Sequence, residues 1–138
     1  MAYAGGVAGA AQASKKPRTI LVWSEGTAPT SVYPGDIRGA IADALRGLPG
    51  GYAVKAVTLG DPDQGVSEAD LADAAALFWW GHVRHGDVAD ATVARIVRRV
   101  REGMGFVALH SSHFAKPFQA VVGASGAWKA YVDDGRPH

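Results

Sequence analysis

Four times along this chain a short apolar run is followed by a stretch with helical spacing, and this alternation restricts the fold more than any other feature. Thr19 to Trp23 is the first run, a strand of β-branched and aromatic residues. After the Gly- and Pro-bearing loop Ser24 to Pro34, residues Ile37, Ile41, Leu45 and Leu48 fall four, four and three apart, one stripe of a helix. Pro49-Gly50-Gly51 stops that helix. Tyr52 to Leu59 alternates as a second strand, and Gly60-Asp61-Pro62 turns the chain. Ser67 with Asp70 three positions on resembles a capping box for a short helix. Ala74 to Trp80 is the third strand. Asp90 is placed to cap a helix whose Val93, Ile96, Val97 and Val100 share one face. Gly103 and Gly105 close it, Phe106 to Leu109 make the fourth strand, and a last helix is expected from Phe114 to Val122 with Pro117 in its first turn.

Strands that are apolar throughout, rather than on alternate residues, are buried on both faces. That pattern predicts a parallel sheet with helices on each side. With right-handed crossovers the simplest topology is flavodoxin-like, strand order 2-1-3-4. A chain of 138 residues fits one domain, expected over residues 17–138. Met1 to Lys16 is mostly Ala and Gly, with its positive charge at the far end, and reads as a disordered tail rather than a targeting signal. A formal charge of +1 supplies no basic surface for nucleic acid, and no run is long enough to span a membrane. With no cysteine the chain has neither disulfides nor a thiol nucleophile, which fits the cytosol.

Chemistry-bearing residues collect where the third and fourth strands end. Trp79-Trp80-Gly81-His82-Val83-Arg84-His85 runs out of one, and His110-Ser111-Ser112-His113 follows the other. In an open α/β sheet, ligands bind outside the carboxyl ends of the strands, and in the order 2-1-3-4 these two strands are neighbours. His82, His85, His110 and His113 thus converge on one edge as candidate catalytic groups. Three uses are open to them. Two H-x-x-H pairs could hold zinc or a similar ion, although the strong zinc patterns sit on a helix or include Cys. The rings could instead brace loop backbone. They could also exchange protons or hydrogen bonds with a polar substrate, which a pKa near ~6.5 suits. Crowding should lower their pKa values, so that most are neutral at pH 7. The polar-substrate role fits the clustering best.

Other residues near this edge are candidates for substrate binding. Trp79 and Trp80 point to opposite faces, so one belongs to the core, and Trp80 at the strand end is placed to stack on a ring. Trp23 holds the equivalent end of the first strand. Glu25 beyond it could serve as a base or hydroxyl acceptor, or be solvated. Ser111 lies between strand and helix like a nucleophile, yet the G-x-S-x-G spacing is absent, and a helix-capping serine reads better. Lys116 stands in the first helical turn, where the dipole opposes a cation, so it should face a ligand anion or a carboxylate. Arg95, Arg98, Arg99 and Arg101 read as a solvated helix face.

The segments W-W-G-H-V-R-H-G-D-V and V-R-E-G-M-G-F-V-A-L-H-S-S-H-F-A-K, with V-Y-P-G-D-I-R-G-A-I-A earlier, resemble the ThuA family of trehalose-utilisation proteins over about Thr19 to Lys129. The resemblance implies a flavodoxin-like domain similar to class I glutamine amidotransferases. It also implies a role with trehalose or related disaccharides, 3-keto forms among them. Those amidotransferases carry a Cys nucleophile about where His110 stands, so glutamine hydrolysis is not expected. Two departures stand out. The loop Ser24 to Thr30 is short and Arg38 replaces a His; the family also continues for about a hundred residues more. The chain is therefore expected to be an amino-terminal part, incomplete at its carboxyl end. The fourth strand would then be an open edge that invites a second copy. A sugar-metabolising enzyme is one reading, with His82, His85, His110 and His113 surrounded by Glu25, Trp80, Ser111, Ser112 and Lys116. A non-catalytic carbohydrate-binding or regulatory module, or an inactive copy, is the other.

Overall fold

The computed structural model describes residues 18–127 and two short strands nearer the carboxyl end; the Ala/Gly tail lies outside the described residues. In chain order the elements are β1 (Thr19–Ser24), α1 (Asp36–Arg46), β2 (Ala53–Thr58), α2 (Glu68–Asp73), β3 (Ala74–Trp80), α3 (Asp90–Arg101), β4 (Gly105–Leu109), α4 (Lys116–Val122), β5 (Val132–Asp133) and β6 (Arg136–Pro137). The first four strands form one parallel sheet in the order β2-β1-β3-β4, as the alternation predicts. β5 and β6 pair antiparallel with each other.

Register assigns side chains to the two faces. Leu21 and Trp23 lie beside Leu77 and Trp79, with Phe106 next to Leu77. This face is sealed by α2, α3 and α4 through Leu71, Ile96, Val93, Val100 and Phe118. Trp23 and Trp79 stack with centroids 3.6 Å apart and planes 7° apart. The Trp23 indole N–H donates to the Gln64 carbonyl at 2.8 Å, so its polar end is satisfied inside the core. Trp23 is therefore a core residue and not the substrate contact expected of it.

The opposite face carries Val22, Ser24, Phe78, Trp80, Val107 and Leu109. Here α1 packs on β1 and β2 and leaves the β3–β4 half open. Ala42 is the fully buried residue of α1, while Ile37, Ile41 and Leu45 are half-buried. Leu48 falls outside the stripe expected of it. The helix ends at Arg46, and Leu48, two residues on, is 63% exposed.

Helix ends differ from expectation in instructive ways. Ser67 does cap α2, accepting from the Asp70 amide at 3.1 Å, and its hydroxyl donates to the Asp70 carboxylate at 2.9 Å. Asp90 is not a cap: Ala89 occupies that position, and Asp90 is the first helical residue, paired with Lys116. The last helix begins at Lys116, preceded by a tight turn His110–Phe114, with Pro117 in its first turn. The α3 arginines do more than face water. Arg99 donates to the Leu71 carbonyl at 2.9 Å and Arg98 pairs with Glu68, which fastens α3 to α2.

Candidate active site at the carboxyl edge

Because the four strands are parallel, the segments after β1, β3 and β4 emerge at one edge. Hydrogen bonds fasten them to one another. Glu25, just past β1, is 2% exposed, and its carboxylate faces the loop after β3. It accepts from the amides of His82 at 2.9 Å, Val83 at 2.8 Å and Arg84 at 3.0 Å, and from the Thr27 hydroxyl at 2.5 Å. Burial works to raise the Glu25 pKa, but the hydrogen bonds from Thr27, Val83, His82 and Arg84 outweigh it and hold the group below its ordinary value. A carboxylate offers about four lone-pair sites, and four donors occupy them. Glu25 is thus the clamp of the histidine loop, neither the free base nor the solvated carboxylate that the sequence suggests.

The loop after β4 is fastened to the same place. Ser112 is fully buried; it accepts from the Gly81 amide at 2.9 Å and donates to the Trp79 carbonyl at 2.9 Å. It serves as a strut between β3 and the turn, with no surface left for a substrate. Ser111 donates to the Gly81 carbonyl at 2.9 Å and lies 3.0 Å from His82 Nδ1. A hydroxyl has one proton, and Ser111 spends it on Gly81. His82 Nδ1 must then carry the hydrogen that Ser111 Oγ accepts, which leaves Nε2 unprotonated in the neutral ring. Neither serine caps α4, because both are turned back to the end of β3.

The four histidines divide. His82 and His110 are exposed. The His82 ring lies 6.0 Å from that of Trp80, at 23°. His113 and His85 are half-buried around Phe114, with ring centroids 4.1 and 6.4 Å from it. A methyl group on Gly81 would stand 3.0 Å from His85 Nδ1 and 3.4 Å from Trp79 Nε1, so a side chain there would press the His85 ring away from the strand end by a few tenths of an ångström. Burial pushes the His85 pKa down; the Glu25 charge and the His82 backbone oppose this, while His113 and His82 add to it. His113 packs on Phe114, which makes its ring part of the turn.

His110 directly follows β4 with φ = 40°, in the left-handed region that a bulky side chain avoids. Such a conformation costs roughly 1–3 kcal/mol and persists only where neighbours enforce it. Here the Ser111 and Ser112 hydroxyls enforce it by holding the next two residues to β3. The strained strand-to-helix turn that motif spacing failed to reveal is therefore present, with His110 at its apex.

His110 also lines a groove of about 490 Å³ with Tyr33, Ile37, Ile41, Trp80 and Leu109. Its far wall, from the α1 segment, carried no chemical signal in the sequence beyond lying in V-Y-P-G-D-I-R. Beside it, Ser24 donates to the Asp36 carboxylate, which Arg38 also holds at 2.6 Å. The larger cavity, about 650 Å³, lies between α3 and α4 and has no histidine in its lining. Lys116 is there. Its ammonium donates to the Val88 carbonyl at 2.6 Å and pairs with Asp90 at 2.7 Å. The carboxylate expected opposite Lys116 exists, but it belongs to α3 and not to the histidine edge. Among the described residues, no three His, Asp or Glu side chains converge to hold a metal ion. Nor is any described helix long and apolar enough to cross a membrane.

A family model described as ThuA, trehalose utilisation, matches residues 19–137. No curated protein matches the chain.

Proposed function

The chain belongs to the ThuA family, trehalose utilisation, and from that premise we propose that it processes trehalose or a related disaccharide, including a 3-keto form, at the histidine edge. One observation carries this reading. His82 stands exposed beside Trp80, on a loop clamped by Glu25, with Ser111 holding Nδ1 and Nε2 open to a ligand.

An imidazole so held is suited to accept a proton. For a 3-keto sugar, the hydrogen on the carbon next to the carbonyl is the acidic one. Proton transfer from that carbon to His82 Nε2 breaks the C–H bond, and the electron pair forms a C=C bond as the glycosidic oxygen departs. The departing oxygen takes a proton from water, and His82 returns its own to the hydroxide left behind. Positioning and a free basic nitrogen are what a general base needs, and the Ser111 contact to Nδ1 supplies both. His110, aimed at the groove beside Trp80, is the second polar contact. His85 and His113 support the loops from beneath.

Calorimetric titration with trehalose and its 3-keto form, read beside turnover by sugar analysis, tests the reading. Binding and turnover in the intact protein, both lost in His82→Ala, support it. Binding without turnover would make the chain a carbohydrate-binding module, and no binding at all would remove the sugar assignment.

A further inference from the structure

Of the reading above only the sugar held at His82 is carried over, and its second sugar is replaced: we propose that the groove beside His110 is a subsite for an apolar, flat ring, so that the preferred ligand is a glycoside bearing an aromatic group. The groove continues directly from the histidine edge, because Trp80 belongs to both. Its ring lies 6.0 Å from the His82 ring and also forms a wall of the groove. A sugar held at His82 therefore directs whatever it carries toward this space.

The chemistry of the walls selects what that is. Ile37 and Ile41 come from α1, and Leu109 and Trp80 from the sheet. The polar groups among the lining side chains are the Tyr33 hydroxyl, the His110 imidazole and the Trp80 N–H. A hexose ring brings four hydroxyls, and each one buried without a partner loses its hydrogen bonds to water. An aromatic ring has no such groups to satisfy and gains by leaving water. At about 490 Å³ the groove is ample for one substituted six-membered ring. The opening exists because α1 covers β1 and β2 and stops short of β4, so Ile37 and Ile41 face Leu109 across open space.

Titration calorimetry of the intact chain with methyl α-glucoside, phenyl α-glucoside and trehalose tests this. The phenyl glucoside should bind at least tenfold more tightly than either of the others. Ile41→Trp, which fills the groove, and Ile37→Asp, which makes it polar, should each erase that advantage and leave methyl glucoside affinity unchanged. Methyl glucoside binding with no phenyl advantage overturns the subsite alone and leaves the sugar reading intact. Failure of all three sugars overturns both. Sedimentation of the same proteins covers the remaining occupant: a dimer that Ile37→Asp dissociates assigns the groove to a second copy and overturns the proposal.

Discussion

The two faces of the sheet share the same four strands but differ in what covers them. On one, Leu21, Trp23, Leu77 and Trp79 are sealed beneath α2, α3 and α4, and the two indoles stack in full contact. On the other, α1 alone covers β1 and β2, so Phe78 is half-buried and Val107 is 38% exposed. The difference follows from chain direction. Right-handed connections that step from β2 to β3 and from β3 to β4 place their helices on one face, and the reversed step from β1 to β2 places its helix on the other. Stability is thereby concentrated on the sealed face, and surface open to a ligand on the half-covered one. The histidine loops sit at the edge where both meet.

The contrast is most easily broken at Trp79. Trp79→Ala should cost about 3–5 kcal/mol, seen as a large fall in Tm, because it empties the stacked pair in the sealed core. Phe78→Ala, one residue away on the half-covered face, should cost markedly less. Equal losses would mean that the two faces are equally packed.

Next in size is the clamp between them. Glu25→Gln replaces a charged acceptor with a group that has a single acceptor oxygen, and should cost about 2–3 kcal/mol. Its signature is in the pH dependence. The folded pKa of Glu25 lies below the ordinary 4.5, so its contribution is full above pH 4.5 and is lost as pH falls through the folded value. His85, lowered from 6.5, likewise disfavours protonation in the folded state, so its effect begins below pH 6.5. Acid titrations of Tm should show the lower limb flattened in Glu25→Gln and the upper part retained. An unchanged profile would mean that the carboxylate bonds contribute nothing.

A third test concerns binding instead of folding. His82→Ala should leave Tm within about a degree, since the ring is exposed, and weaken a bound disaccharide tenfold or more, about 1.4 kcal/mol. A fall in Tm with affinity unchanged would reassign His82 to loop support. His113→Ala, by contrast, should lower Tm through its lost packing on Phe114.

The smallest effect has the opposite sign. His110→Gly removes the penalty of φ = 40° and should stabilise the protein by about 1 kcal/mol while weakening the ligand. His110→Ala should weaken the ligand without the gain. Were the glycine variant no more stable, the strain would be absent and the case for a purposefully aimed His110 would fall with it.

Reading the residues in order recovers the strand sequence, the sheet order and the edge on which the histidines gather. Those depend on apolar periodicity and on the geometry of parallel connections, both local or nearly so. Leu48 went astray because the apolar spacing continues past Arg46, where the helix already ends at its Gly47 cap. Asp90 and Ser111 looked like caps because their residue types suit that role, but each had a stronger partner elsewhere, Lys116 and the end of β3.

The chain's own pattern of apolar runs and histidine segments was enough to specify a parallel sheet and one edge rich in imidazoles. Periodicity and residue type act over neighbouring positions and survive without knowledge of distant partners. The roles within that edge came from contacts across 30 to 60 positions, such as Ser111 with Gly81 and Glu25 with Arg84. A carboxylate read alone can be a base, a solvated group or a clamp, and three backbone amides arriving from the loop after β3 are what make Glu25 a clamp. Likewise, which indole lies in the core and which borders the groove depends on how many helices each face receives, which folding establishes for the sheet as a whole.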